Sequence, residues 1–447
     1  MQDDYYLKAK SEFQGLPGSA INTAYYSAKE TTLSAVELSY VQSRWEQSFS
    51  TPTFGSSAQF ILSSDDIING TYLHFVLPKK DVANGVILPF GWGLAAIESI
   101  TYLFPSNNIG RITLGQTEIY HLLLGQNQDY ATTTLVMMLA GQAVETAGSP
   151  PTVAALTDKN RSCDVLLPFP WSSMDPEVKG IDAHLFKNGA ITVTVKLNTR
   201  NAFIKASAGT GSTMSGFESV NLSYRQGSFS NLAFSLRSKL DANPGVAYSY
   251  PFIRTDVRNE IVTVNNATNG DQKLTINLTG FLDFDLVGFI ITVHKLSNVE
   301  SVDGSGIDPY SLVNIKNVNL TYASQVLYFA RDFSYRLYGC QSVHSSGYDS
   351  ASSIISFGTT TPKSNFPVFI DFSQKRQAAF GEMYYNTKRY GGKTMVLTFE
   401  PGYITDEATD WYFPPPSTGS TQLLARITFL YNSVIEISQG SSQMFGV

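Results

Sequence analysis

The chain has 447 residues, of which 43% are hydrophobic, 13% aromatic and only 15% charged, with a formal net charge of −6. The hydrophobic share excludes wholesale disorder, and at roughly 100–200 residues per domain the length calls for about two to four domains, most simply two large ones. The acidic balance excludes a protein whose main task is to coat nucleic acid with a basic face. Low charge beside 28 Phe and 24 Tyr points to a β-rich chain that covers much of its surface against partners.

Residues 1–45 differ from the rest and read as a polar N-terminal arm with few charges of either sign. The arm opens Met1-Gln2-Asp3-Asp4, without the apolar run of a secretory signal. Within it, residues 31–42 (TTLSAVELSYVQ) predict a short helix. From residue 46 the pattern becomes β. Runs of β-branched and aromatic residues recur between Gly, Asn, Asp, Ser and Pro clusters: 71–77, 97–104, 190–197, 273–278, 287–296, 313–322, 394–399 and 424–437. In 190–197, Ile191, Val193 and Val195 alternate with Thr192, Thr194 and Lys196. That period of two gives a strand one buried face. Residues 117–124 (TEIYHLLL) and 326–338 are the helical candidates among them. Many short strands with turn signals predict sandwiches or barrels rather than βαβ units.

The two halves echo each other. In the first, apolar segments at 67–77 and 94–104 precede the helical patch at 117–124; in the second, 273–278 and 284–296 precede 326–338. Each half closes on strands, 190–197 with 220–224, and 394–399 with 427–437. One fold used twice in tandem accounts for the length. The expected division is 46–228 and 229–447, joined near 227–245.

Catalytic and metal chemistry find no foothold. The five histidines, His74, His121, His184, His294 and His344, make no pair with metal-ligand spacing and read as structural or surface residues. Cys163 and Cys340 form no Cys-x-x-Cys and read as buried thiols. Gly391-Gly392-Lys393-Thr394 resembles the end of a P-loop, but Thr387 stands where the motif needs Gly, and a strand pattern follows where it needs a helix. Asp65/Asp66 and Asp283/Asp285 read as turn and strand-edge carboxylates. The basic stretch Lys375, Arg376, Lys388, Arg389 and Lys393 reads as a solvated loop. Sequons at Asn69, Asn160, Asn221, Asn266, Asn277 and Asn319 follow from Asn, Ser and Thr richness. The expectation is a structural or binding protein, with no enzyme activity, cofactor or metal.

Five segments carry a resemblance to a known family. Residues 60–78 (FILSSDDIINGTYLHFVLP) place an Asp-containing turn before an apolar strand ending in Leu77-Pro78. Residues 91–111 (GWGLAAIESITYLFPSNNIGR) follow with an Ile-rich strand, although Pro105-Ser-Asn-Asn stands where the family commonly has Gly-Gly. Residues 163–171 (CDVLLPFPW) hold a Leu-Pro-Phe-aromatic signature in Leu167, Pro168, Phe169 and Trp171. Tyr250-Pro-Phe252 is a weaker echo of it. Residues 429–445 (FLYNSVIEISQGSSQMF) form a closing strand with Asn432, Gly440 and Phe445. Taken in order, the set resembles the double jelly-roll major capsid proteins of icosahedral double-stranded DNA viruses, the lineage of the nucleocytoplasmic large DNA viruses, virophages and polinton-like viruses.

The resemblance implies an all-β fold of two tandem eight-stranded jelly rolls with a few short helices. It implies homotrimers that form pseudo-hexagonal capsomers and tile an icosahedral shell. The implied partners are other copies of the chain, penton and minor capsid proteins and an internal membrane, with no specific nucleic-acid binding. The place is the virion, assembled inside the host cell and not secreted. Trp411, Tyr412 and Phe413, in a Pro-stiffened segment, are candidate subunit contacts. Three rival readings stand beside this one: a secreted or surface carbohydrate-binding or adhesion β-sandwich, a glycan amidase on paired jelly rolls, and a non-capsid viral protein on the same fold, such as a scaffold or minor shell component.

Overall fold

The computed structural model describes residues 40–62, 67–78, 86–87, 91–105, 111–126, 139–141, 161–167, 181–183, 186, 189–203, 205–206, 214–229, 248–265, 274–277, 285–299, 315–322, 325–330, 368–371, 385–386, 395–401, 420–438 and 441–446.

The first half holds β1 (Tyr40–Ser48), β2 (Ser57–Ile61), β3 (Ile67–Val76), β4 (Val86–Ile87), α1 (Trp92–Ala95), β5 (Ile97–Leu103), β6 (Arg111–Gly115), α2 (Gln116–Gln126), β7 (Ser162–Leu167), β8 (Ile181–Asp182), β9 (Thr192–Leu197), α3 (Arg200–Phe203), β10 (Lys205–Ala206) and β11 (Ser219–Phe229). The second holds β12 (Tyr248–Asn265), β13 (Leu274–Asn277), β14 (Asp285–Lys295), α4 (Leu296–Val299), β15 (Ile315–Tyr322), β16 (Gln325–Ala330), β17 (Val368–Asp371), β18 (Tyr385–Asn386), β19 (Met395–Pro401), β20 (Ser420–Ser438) and β21 (Ser441–Gly446).

The pairing order identifies the architecture. In the first half the sheets run β1-β11-β3-β7 and β2-β9-β5-β6. Setting aside the two-residue strands, that is first-eighth-third-sixth and second-seventh-fourth-fifth along the half. The second half gives β12-β20-β14-β17 and β13-β19-β15-β16, which is the same order again. Eight antiparallel strands in two sheets with this order make a jelly roll, and the chain contains two. The repeat extends to accessories: β8 pairs with the third strand of the first roll, and β18 with the third strand of the second.

Alternating residues bury one face of each strand. β7 (SCDVLL) and β9 (TVTVKL) show this period directly, with Cys163, Val165, Leu167, Val193, Val195 and Leu197 inward. Between the sheets of the first roll, Phe54, Phe203 and Phe217 pack with ring centroids 5.3–5.5 Å apart, and Phe75 lies 5.1 Å from Phe217. Gly91 adopts φ 73°, the left-handed turn that starts α1 and drops Trp92 into this core. Burial raises the pKa of the Cys163 thiol, and Cys163 is free of any disulfide. Cys340 lies outside the described residues.

Three expectations change. Residues 40–42, read as the end of a helix, open β1 and pair with β11, so the strand begins inside the segment assigned to the arm; residues 31–39 lie outside the described residues. Residues 326–330, read as the start of a helix, belong to β16. A tight connection after Tyr322 folds Gln325–Ala330 back on β15, and that pairing decides a run whose apolar pattern fits either state. Residues 331–338 lie outside the described residues. The echo between halves is one strand out of step: β3 corresponds to β14, not to 273–278, which is β13. At the proposed joint, Gly227–Phe229 still belong to β11, and 230–247 lie outside the described residues.

Candidate functional site: the seam between the two rolls

α2 follows the fifth strand of the first roll and turns toward the second. Its start is fixed locally. Glu118, three residues past Gly115, reaches back so that the Gly115 N–H donates to its Oε2 at 2.5 Å, one half of a capping box. The other carboxylate oxygen accepts from the Thr255 hydroxyl on β12 at 2.9 Å. One side chain therefore caps a helix of the first roll and ties it to the second. Burial raises the Glu118 pKa, opposed by those two hydrogen bonds and reinforced by the nearby Asp256 charge.

One turn on, His121 is fully buried. Its Nδ1 is 2.6 Å from Thr428 Oγ1 on β20, and its Nε2 is 3.2 Å from Thr292 Oγ1 on β14. Thr292 Oγ1 is also 3.1 Å from Nε2 of His294. The strand register explains the cluster. Ile290 pairs with Thr428, Thr292 with Arg426, and His294 with Leu424, so these side chains share one face of the second roll's sheet. Burial, with the Arg426 charge second, pushes the His121 pKa down to about 3.

The seam leaves its mark on β20. A strand with one face in water alternates, yet every residue from Ile427 to Tyr431 is buried. Ile427, Phe429 and Tyr431 take one face, with Ile291 and Val293 beside them on β14. Thr428 and Leu430, with Ile290, take the other, against the first roll.

The first roll's equivalent sheet carries the corresponding face. On β3, Tyr72, His74 and Val76 are half-buried while Leu73 and Phe75 are fully buried. His74 Nδ1 lies 2.9 Å from Asp164 Oδ1 on β7, and Asn221 on β11 donates to Glu46 Oε1 at 2.7 Å. These residues stand in cross-strand register, His74 opposite both Asn221 and Asp164.

The residues singled out from the sequence are placed unevenly. Leu77 is buried just past β3, its N–H donating to the Arg161 carbonyl at 2.8 Å while Arg161 Nη1 donates back to the Leu77 carbonyl at 3.1 Å. Pro78 is half-buried beside it, and Leu167 is buried at the end of β7. Asn432 lies in β20 opposite Ile253, and Phe445 in β21 opposite Val434. Pro168, Phe169, Trp171, Trp411, Tyr412, Phe413 and Gly440 lie outside the described residues. Four sequons, at Asn69, Asn221, Asn277 and Asn319, fall within strands β3, β11, β13 and β15, and Thr71 and Ser223 of the first two are buried. Among the described residues no cluster of three or more His, Cys, Asp or Glu could hold a metal, and no helix is long and apolar enough to cross a membrane. Sequence reading missed the seam. Glu118 at a helix start is a legible signal, but nothing in the chain links His121 to Thr428, 307 positions away.

The fold is the double jelly roll. No family model matches the sequence, and no curated protein matches it. Among solved structures, PBCV-1 VP54, fitted into a reconstruction of the virophage Sputnik, is similar with a TM-score of 0.64 at 11% identity, over 91% of this chain and 96% of that one. The Faustovirus major capsid protein is similar with a TM-score of 0.54 at 11% identity, over 96% and 98%. The mavirus major capsid protein is similar with a TM-score of 0.50 at 10% identity, over 90% of each chain. The chain thus shares the fold of viral double jelly-roll major capsid proteins along nearly its whole length.

Proposed function

We propose that the protein is the major capsid protein of an icosahedral double-stranded DNA virus. Three copies form a pseudo-hexagonal capsomer, and capsomers tile the shell. The observation that carries this reading is the sheet order repeated in both rolls. The second roll packs against the first roll of the same chain through the face of Thr292 and Thr428, and in a ring the first roll's equivalent face, with Tyr72, His74 and Asp164, would meet the second roll of a neighbouring copy. Such a head-to-tail contact closes into a ring when its rotation allows. The similarity in fold to capsid proteins, over about nine-tenths of the chain or more, supports the same reading.

The partners are then other copies of the chain, with penton and minor capsid proteins at special positions of the shell and an internal membrane beneath it. Leu77, Pro78, Leu167, Pro168, Phe169, Trp171, Asn432, Gly440 and Phe445 serve the rolls structurally, and Trp411, Tyr412 and Phe413 serve subunit contacts. The protein acts in the virion after assembly inside the host cell, and catalyses no reaction.

Light scattering on the purified chain tests this. Three times 49.0 kDa is about 147 kDa, and a stable species of that mass is expected. Asp164→Arg, which replaces a carboxylate of that face with a cation, is expected to yield 49.0 kDa monomers with an unchanged melting temperature. A wild type that stays monomeric at all concentrations and binds glycans in a screen would overturn the proposal in favour of a carbohydrate-binding module.

A further inference from the structure

The seam contains a small proton-ordered network. The Thr292 hydroxyl stands between Nε2 of His121 and Nε2 of His294, 3.2 and 3.1 Å away. A hydroxyl carries one proton, so it can donate to only one of the two imidazoles. If it donates to His121, then His121 carries its proton on Nδ1 and donates to Thr428. If it accepts from His121, then the Thr428 hydroxyl donates to Nδ1. Either arrangement satisfies both ring nitrogens of a neutral His121. A second proton on His121 would place an unpaired cation at a fully buried position whose neighbours include Arg426.

We infer that the contact between the two jelly rolls is an acid-sensitive joint, with His121 the group whose protonation opens it. The inference concerns contacts within one chain and does not depend on the capsid reading.

Glu118 and Tyr120 flank His121 on α2, and Glu98, Tyr102 and Arg111 lie on the first-roll strands β5 and β6 behind it. On the second-roll strands around it, β12 carries Arg254, Asp256, Arg258 and Glu260, β20 carries Arg426 and Glu436, and β14 carries Asp285, His294 and Lys295; of these, Arg426 and His294 share the face of Thr428 and Thr292. Arg258 pairs with Glu260, and Glu98 with Lys196, so those charges are internally balanced. Arg426 adds to the cost of a cation at His121.

The direction follows by linkage. With the joint closed, His121 has a pKa of about 3 against an ordinary 6.5. The closed form is fully favoured above pH 6.5 and loses ground as pH falls from 6.5 toward 3, because only the opened form takes up the proton readily. Each pH unit below 6.5 shifts the balance toward opening by about tenfold, or about 100-fold at pH 4.5. Glu118 works the other way. Its raised pKa favours the closed form below the ordinary value of 4.5, an advantage lost as pH rises through the folded value. The His121 contribution is therefore read as the difference between wild type and His121→Gln, which keeps Glu118.

Hydrogen exchange on the full chain, corrected for intrinsic rates, tests the joint between pH 7.5 and 4.5. In the wild type, protection of α2 is expected to fall by up to about tenfold per unit below pH 6.5, while β5 and β9 in the first roll keep theirs. In His121→Gln the fall in α2 is expected to vanish. Loss of protection in α2 and β9 together would mean that the rolls unfold as one body, and would overturn the inference. So would a pH dependence in His121→Gln equal to that of the wild type. If His121→Gln does not fold, the wild-type comparison of α2 with β9 decides alone.

Discussion

At the scale of single residues, the first roll depends on positions where a side chain leaves no slack. Gly141 has φ +119°, and a Cβ there would stand 2.4 Å from the indole Nε1 of Trp92. Trp92 is itself fully buried. Gly141→Ala combines a disfavoured backbone with overpacking, and a loss of about 3 kcal/mol is expected in chemical denaturation. A change below about 0.5 kcal/mol would mean that the Trp92 pocket relaxes freely. Residue chemistry of this kind was poorly legible in advance. The sequence marks Trp92 as aromatic and Gly141 as flexible, but their contact joins positions 49 apart.

At the scale of elements, legibility followed exposure. β9 and β14 were plain in the sequence because alternation or a continuous apolar run marks a strand buried on one face or two. β12 was not, despite its 18 residues. It contains Pro251 and four charged side chains, Arg254, Asp256, Arg258 and Glu260, which interrupt an apolar strand pattern. Its place at the sheet edge explains both, since an edge strand tolerates a missing N–H and a charged surface. β20 needs more cover. β14 lines Leu423–Tyr431 of one flank and β21 lines Ser433–Ser438 of the same flank. Removing residues 441–447 is expected to strip that second stretch, expose the backbone edge of 433–438 and promote aggregation. Sedimentation at rising concentration checks this, and a truncated chain as soluble as the full one would refute the role given to β21.

At the scale of the whole molecule, the repeat was legible in kind. Two β-rich halves of similar length, each closing on a strong strand pair, pointed to one architecture used twice, and β9 with β11 and β19 with β20 are those pairs. The strand-by-strand match was not legible, because the apolar runs of corresponding strands differ in length and only hydrogen bonding assigns their order. The arm proposed for the N-terminal residues belongs to this scale too. Deleting residues 1–30 is expected to leave a folded species of about 147 kDa while reducing the yield of closed particles seen by negative-stain imaging. A deletion that lowers the melting temperature of the rolls would show that the segment is part of the fold.

The position of the eighth strand sets an order of events during synthesis. In each roll the eighth strand lies between the first and the third. The nascent first roll therefore holds β1 without a sheet neighbour until β11 has left the ribosome, a connection across most of the domain and of the kind that closes slowly. When β11 arrives the first roll can close, but α2 still presents His121 with no second roll to receive it. That partner is completed by β20, near the end of the chain. One late strand thus finishes the second sheet and covers the imidazole of the first roll, so the two halves become one unit only when translation is nearly done.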